Sequence, residues 1–439
     1  SVGGAYLMSK EDWFDVKWID MLKIKFSIGQ QGNDNIGSYN YTDRYNIVNS
    51  NDELSLSFNS KGKKDITWET NTNMNLGVEF ELLKGKLNGG VELFYRKTTD
   101  MLNWFNVPLS LGYPGYYDNI GDMANKGVEL ELNYIPVNKK NFTWKINLNL
   151  THYKNKITYL PDEKKTTVMD GHGGYMNGSR YYGEDLPINT WYMKRFAGLS
   201  EDGLSLWYYT DKETNEEKTT TTYSTGDFYL CGDPNPDLYG GFGTSITFHG
   251  FDLSTQFSYL VGGLTYDYGY AGMMGNPTAT SVGNRWHKDV LKAWSPENPS
   301  STIPRWYFND LNTTGSSDRF LIDGSYLNLQ NIQVGYTLPD SWTSHLKIKN
   351  LRLYFVCDNV YYWSKRKGLD PRRSISGVGT SGKIAPFRTY SGGISLRYRY
   401  KYEQLYRTDL SQKLYRYFRA DCRITSCYEC YVKCRGRLC

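Results

Sequence analysis

The chain has no stretch approaching the ~18 consecutive apolar residues of a membrane-crossing helix, and no signal peptide opens it. A helical membrane protein is therefore excluded. The first residue is Ser1 rather than a methionine, and it stands inside a strand-like alternation of Val2, Gly4, Tyr6 and Met8. This predicts a fragment or processed product with any export signal upstream. Cysteine is scarce in the body, where only Cys231 and Cys357 occur, whereas five cysteines crowd the last 18 residues. Charge imbalance is confined in the same way. From Lys401 onward there are 9 Lys/Arg against 4 Asp/Glu, which leaves 42 of each in residues 1–400. A neutral, cysteine-poor body suits an export route that oxidises stray thiols.

Catalytic signatures are missing too. There is no HExxH, no GxxxxGK[ST] phosphate loop and no GxSxG elbow. His152, His172, His249, His287 and His345 are scattered, and none pairs with a carboxylate at metal-ligand spacing. The DGHGG stretch around His172 reads as a glycine-rich turn. Glu129 with Glu131, and Glu79 with Glu81, imitate a hydrolase pair but read better as one face of a strand. We expect no enzyme activity, no catalytic residue, no metal and no cofactor.

What the chain does have is aromatic residues (16%), 43 glycines and a repeated period of two. In NIGDMANKGVELELNY, Val128, Leu130, Leu132 and Tyr134 alternate with Glu129, Glu131 and Asn133. The same alternation occurs at Ser1–Met8, Leu22–Gln30, Thr67–Leu83, Leu87–Tyr95, Trp144–Thr151, Phe242–Phe248, Phe251–Tyr259, Tyr326–Leu338, Leu351–Asn359 and Tyr390–Tyr400. That makes about eleven strands, most near the ~10 residues a tilted strand needs to cross a bilayer. Short connections (Lys84–Lys86, Val137–Asn141, His249–Gly250) and modest ones (Lys10–Met21, Pro339–Leu346) alternate with long ones. The long ones are Gln31–Ile66, Leu102–Asp122, Asn155–Asp237, Gly263–Phe320 and Val360–Thr389. Several loops of this length would count against a compact soluble domain. In an outer-membrane barrel they are normal, with turns on the periplasmic side and loops outside.

A strand that is apolar on one face and acidic on the other then has a physical rationale. In hydrocarbon a closed sheet pairs every backbone group, its outer face must be apolar, and its inner face can be wet. Aromatic residues near strand ends, Trp68, Tyr134, Trp144, Phe248, Phe251 and Tyr336, suit an interfacial girdle. A soluble amphipathic sheet is the alternative, and it requires the Leu, Val and Phe faces to be buried against a second sheet.

An ordered series of segments also resembles the SusC/RagA class of TonB-linked outer-membrane proteins of the Bacteroidetes. It comprises LKIKFSIGQQGNDNIGSYNY from Leu22, NIGDMANKGVELEL from Asn119 and GDPNPDLYGGFGTSITFHGFDLS from Gly232, followed by SYLNLQNIQVGYTLP from Ser325, DNVYYWSKRKGLDP from Asp358 and YSGGISLRY from Tyr390. The resemblance implies an all-β transmembrane antiparallel barrel of about 22 strands, of which residues 1–400 supply the C-terminal half. It further implies a plug, a TonB complex reached through a segment before that plug, a SusD-like surface lipoprotein, and oligosaccharide or peptide cargo. A passive porin or adhesin, and a soluble carbohydrate-binding protein, are the competing readings.

Binding residues belong in the long loops. The candidates there are Tyr182, Trp191, Trp207, Tyr208, Trp286, Trp306 and Trp363, placed to stack on sugar rings or to meet a lipoprotein lid, with packing inside folded loops as the alternative for each. Residues 401–439, rich in Cys and Arg, read as non-native or disordered sequence appended to the last strand. A metal site there lacks a paired CxxC and any histidine, and a nucleic-acid arm has no better support.

Overall fold

A computed structural model describes residues 1–50, 53–278, 283, 285–310, 312, 315–344, 348–373, 376–379, 386–398, 423–424 and 432–433. The expectation for the tail falls outside these residues, apart from the short pairing of Arg423–Ile424 with Val432–Lys433. His345 also lies outside them.

Eleven strands form one antiparallel sheet in sequence order. They are β1 (Val2–Leu7), β2 (Ile19–Asn33), β3 (Glu69–Leu82), β4 (Leu87–Thr99), β5 (Asp122–Lys139) and β6 (Phe142–Tyr159), followed by β7 (Leu238–Phe248), β8 (Phe251–Val261), β9 (Tyr326–Thr337), β10 (Ile348–Ser364) and β11 (Thr389–Tyr398). The order is open, with β1 and β11 at its edges. Each strand overlaps one of the alternating runs. The 11 residues of β8 extend about 37 Å, and at the ~45° tilt usual in membrane barrels they span about 26 Å, close to the hydrocarbon thickness.

Register keeps like with like. Phe26 faces Leu76, Leu76 faces Leu93, and Leu93 faces Val128. Further along, Leu148 faces Phe242 and Phe242 faces Phe257, while Leu253 faces Val334 and Val334 faces Phe355. This apolar face is open: Phe26, Leu76, Leu93 and Phe355 are 48–54% exposed. A soluble sandwich would bury it under a second sheet, and no sheet covers it among the described residues. The sheet is therefore the wall of a transmembrane β-barrel with a lipid-facing apolar surface.

Turn chemistry sets the short side. His249 and Gly250 both take positive φ (47° and 87°), the primed two-residue turn that matches strand twist and joins β7 to β8. Around the short connections lie Tyr134, Phe142, Phe248, Phe251 and Tyr336, with ring centroids 6.2 Å apart for Phe142 and Phe248 and 4.4 Å for Phe251 and Tyr336. Of the expected girdle residues, Trp68 alone stands at the opposite end, next to β3.

The long connections are folded. Residues 34–68 carry a hairpin of Arg44–Ser50 and Glu53–Ser60, and residues 100–121 carry Leu102–Asn106 paired with Gly115–Asn119. Residues 160–237 hold a five-stranded and a three-stranded sheet, and residues 262–325 hold the helix α1 (Tyr268–Met274) and a small strand pair. The hydrophobic core lies here and at the adjoining strand ends. One cluster joins Met101, Ile120, Ile157, Leu160, Tyr175 and Tyr182; the other joins Trp191, Met193, Tyr266, Met274 and Phe320.

Candidate functional site

Two surfaces on this scaffold are available for binding: the polar face of the sheet, and the assembly of loops at the long-connection end. On the polar face Lys25 crosses the strand beside it. Its ammonium meets Glu79 on β3 at 3.2 Å and Glu92 on β4 at 2.7 Å, while Lys23 meets Glu79 at 3.0 Å. Gly77 makes this reach possible, because a Cβ there would stand 2.5 Å from Cε of Lys25. Glu129 is 3.6 Å from Arg96. Lys25, Glu79, Glu92, Glu129, Glu131 and Asn149 help to line a shallow concavity of about 550 Å³. Glu79 and Glu92 are ion-paired to Lys25, and Glu129 lies beside Arg96, on a wall that also carries Val78, Leu130, Asn133 and Leu150. Among the described residues no three His, Cys, Asp or Glu side chains converge as a metal would require.

At the loop end, Lys164 and Arg180 fasten one connection to the next, and Lys194 fastens two parts of its own. Lys164, only 2% exposed, donates to Asp118 at 2.5 Å and lies 3.8 Å from the centroid of Phe105, which ties residues 160–237 to residues 100–121. Arg180 stacks 3.1 Å from the Trp191 ring and donates to the carbonyls of Asn189, at 2.5 Å, and Ser376. Burial pushes its guanidinium down to about 10. Lys194 donates to the carbonyls of Tyr223 and Gly226 at 2.5 and 2.6 Å. Sequence reasoning missed all three, since a lone basic residue in a polar loop carries no signal of what it will touch.

The aromatic candidates separate by exposure. Trp191 and Trp207 are wholly buried and Tyr182 nearly so. Trp191 donates its indole N–H to the Leu264 carbonyl at 3.2 Å, and Trp207 packs edge-on to Tyr223 at 5.1 Å. These three have no ring face to offer from this conformation. Tyr208 is half-buried beneath Arg195. Trp286 and Trp306 form an edge-to-face pair at 5.3 Å, with Trp306 39% exposed. Trp363 is not in a loop: β10 continues to Ser364, so Trp363 and Tyr361 occupy a strand end opposite Leu327 and Leu329. Those leucines face Tyr259 and Phe257. Trp363 thus shares the apolar face and sits in the aromatic girdle at the loop end.

The family model described as TonB dependent receptor-like, beta-barrel, matches residues 14–360. The chain belongs to that family. It is 27% identical over 429 residues to TonB-dependent receptor P3 of Formosa agariphila, covering 90% of this chain and 41% of that protein. It is also 27% identical to TonB-dependent receptor SusC of Bacteroides thetaiotaomicron, covering 82% of this chain and 36% of that one. The fold superposes on a chain in the structure of the RagAB peptide transporter with a TM-score of 0.77 at 25% identity, covering 90% of this chain and 43% of that chain. This TonB-dependent receptor barrel is thus a protein of the outer membrane, and the chain spans about two fifths of the length of the relatives it matches.

Proposed function

We propose that residues 1–400 form part of the wall and outer mouth of a TonB-dependent importer, and that residues 401–439 contribute nothing to it. The cargo is an oligosaccharide or a peptide. It is received beneath a SusD-like surface lipoprotein and released inward when the TonB complex displaces a plug. The observation that carries this reading is the combination of an open apolar face with a polar face in one sheet, topped by loops with a hydrophobic core of their own. Such a wall holds lipid on one side and water or a plug on the other. Tyr208, Trp286 and Trp306 offer accessible ring surface to the cargo or the lid, while Tyr182, Trp191 and Trp207 shape the loops that present it. No bond is made or broken in the cargo.

The test is genetic. Cells lacking the gene are grown on single oligosaccharide or peptide sources, with TonB present and with TonB depleted. Import predicts that one source supports growth only when both are intact. A source lost on deletion of the gene but indifferent to TonB would make the protein a passive pore and end this reading.

A further inference from the structure

Four arginines in the loops share a pattern that Arg319 breaks. Arg180, Arg195, Arg366 and Arg372 each lie over an aromatic ring and each also donates to an oxygen, of Asn189, Glu217, Asp267 and Asp370 respectively. Arg319 stands in the turn Asp318–Phe320 that leads towards β9, with its guanidinium 5.3 Å from the Phe196 ring and 5.0 Å from that of Phe320. Tyr266 and Tyr270 pack on the same phenylalanine, with centroids 6.1 and 6.2 Å away. Among the described residues Arg319 makes no hydrogen bond and no ion pair. Arg305 also lacks an oxygen partner, but its one ring contact is Tyr307, 63% exposed. Arg319 is the one set against two phenylalanine rings, one of which also packs on Tyr266 and Tyr270.

The nearby carboxylates are committed elsewhere. Asp318 accepts the Phe196 backbone N–H at 2.8 Å, and Asp267 holds Arg366. Asp289 accepts from the Tyr270 hydroxyl at 3.1 Å and meets Lys292 at 3.4 Å. Burial pushes the Arg319 guanidinium down to about 10, so its charge is held at a cost that no protein anion offsets. The residue as a whole is half-buried rather than enclosed. Five N–H donors in a planar fork, set against two phenylalanine rings and without a protein acceptor among the described residues, match the two oxygens of a carboxylate.

We propose that Arg319 is a recognition site for a carboxylate on the transported ligand, which makes the cargo an anionic oligomer. This rests on the import reading above and narrows it. The carboxylate can come from a uronic acid or from an acidic peptide, and the experiment separates the two sources.

Outer-membrane vesicles bearing the full protein are treated with phenylglyoxal, and labelling at each arginine is followed by peptide mass spectrometry. Three probes are added separately: hexagalacturonate, a hexapeptide of glutamates, and neutral maltohexaose. The expected result is that Arg319 labels readily without a probe, loses its labelling with one anionic probe and keeps it with maltohexaose. The protecting probe identifies the source of the carboxylate. An Arg319 that resists labelling unaided, that neither anionic probe shields, or that maltohexaose shields equally would overturn the proposal. The readout reports binding at the mouth and needs no TonB, so its failure is distinct from a failure of import.

Discussion

At the scale of single residues, seven aromatic candidates looked alike in sequence and stand in different surroundings. Trp207 is wholly buried, with Phe196 and Tyr223 at its edges, whereas Trp306 leaves two fifths of its surface open. An isolated tryptophan carries no periodic signal that would separate these roles, because the partners of Trp207 come from elsewhere in the same loop and are brought to it by loop folding. The contacts of Lys164, Arg180 and Lys194 were illegible for the same reason. The two tryptophans should respond oppositely to truncation. Trp207→Ala is expected to destabilise the three-stranded loop sheet by about 3–5 kcal/mol, exposing Ser205–Thr210 to amide exchange. Trp306→Ala should leave exchange unchanged and reduce only cargo or lid binding. Equal protection in both variants would show that Trp207 does not hold its loop together.

At the scale of elements, alternation was the legible feature, and it located all eleven strands because the bilayer enforces it on one face. It ended too early at the loop end. The ladder of β5 and β6 runs on through Asn125–Asn155 and Lys126–Lys154, where both faces are polar. Beyond the membrane the apolar constraint lapses while backbone pairing continues, so a period-of-two reading stops and the strand does not. Trp363 has a different history: Asn359 takes a positive φ of 52° beside a shift of register, so the alternating run stops there while pairing continues to Ser364. The two faces of the strands should differ sharply in their tolerance of charge. Leu93→Arg, on the open apolar face, is expected to lower folding stability in lipid by about 2–4 kcal/mol. Asn149→Lys, on the polar face opposite Glu131, should change it by no more than the ~0.5 kcal/mol usual for surface sites. Urea titrations of folding into bilayers read both. An equal cost at the two positions would mean that the apolar face is not the lipid face.

At the scale of the whole molecule, the sheet and its loops pose different stability problems. The loops pack cores of their own and cross-link through Lys164–Asp118 and Arg180–Ser376, so they do not depend on the sheet's edges. The sheet does. Among the described residues its outer strands β1 and β11 each leave one row of N–H and C=O groups unpaired, which hydrocarbon does not tolerate. They cannot satisfy each other in the antiparallel fashion of every other pair. In an antiparallel sheet of eleven strands the first and last run in the same direction, so direct closure would be parallel. Closure therefore calls for further strands between β11 and β1, as the two-fifths coverage of the relatives implies. The chain refolded alone in detergent micelles should accordingly show β-structure without the compact, heat-modifiable monomer band that a closed barrel gives on SDS gels, and it should aggregate through its edges. A sharp heat-modifiable monomer would mean that β1 and β11 do pair in parallel, and that eleven strands are enough to close the wall.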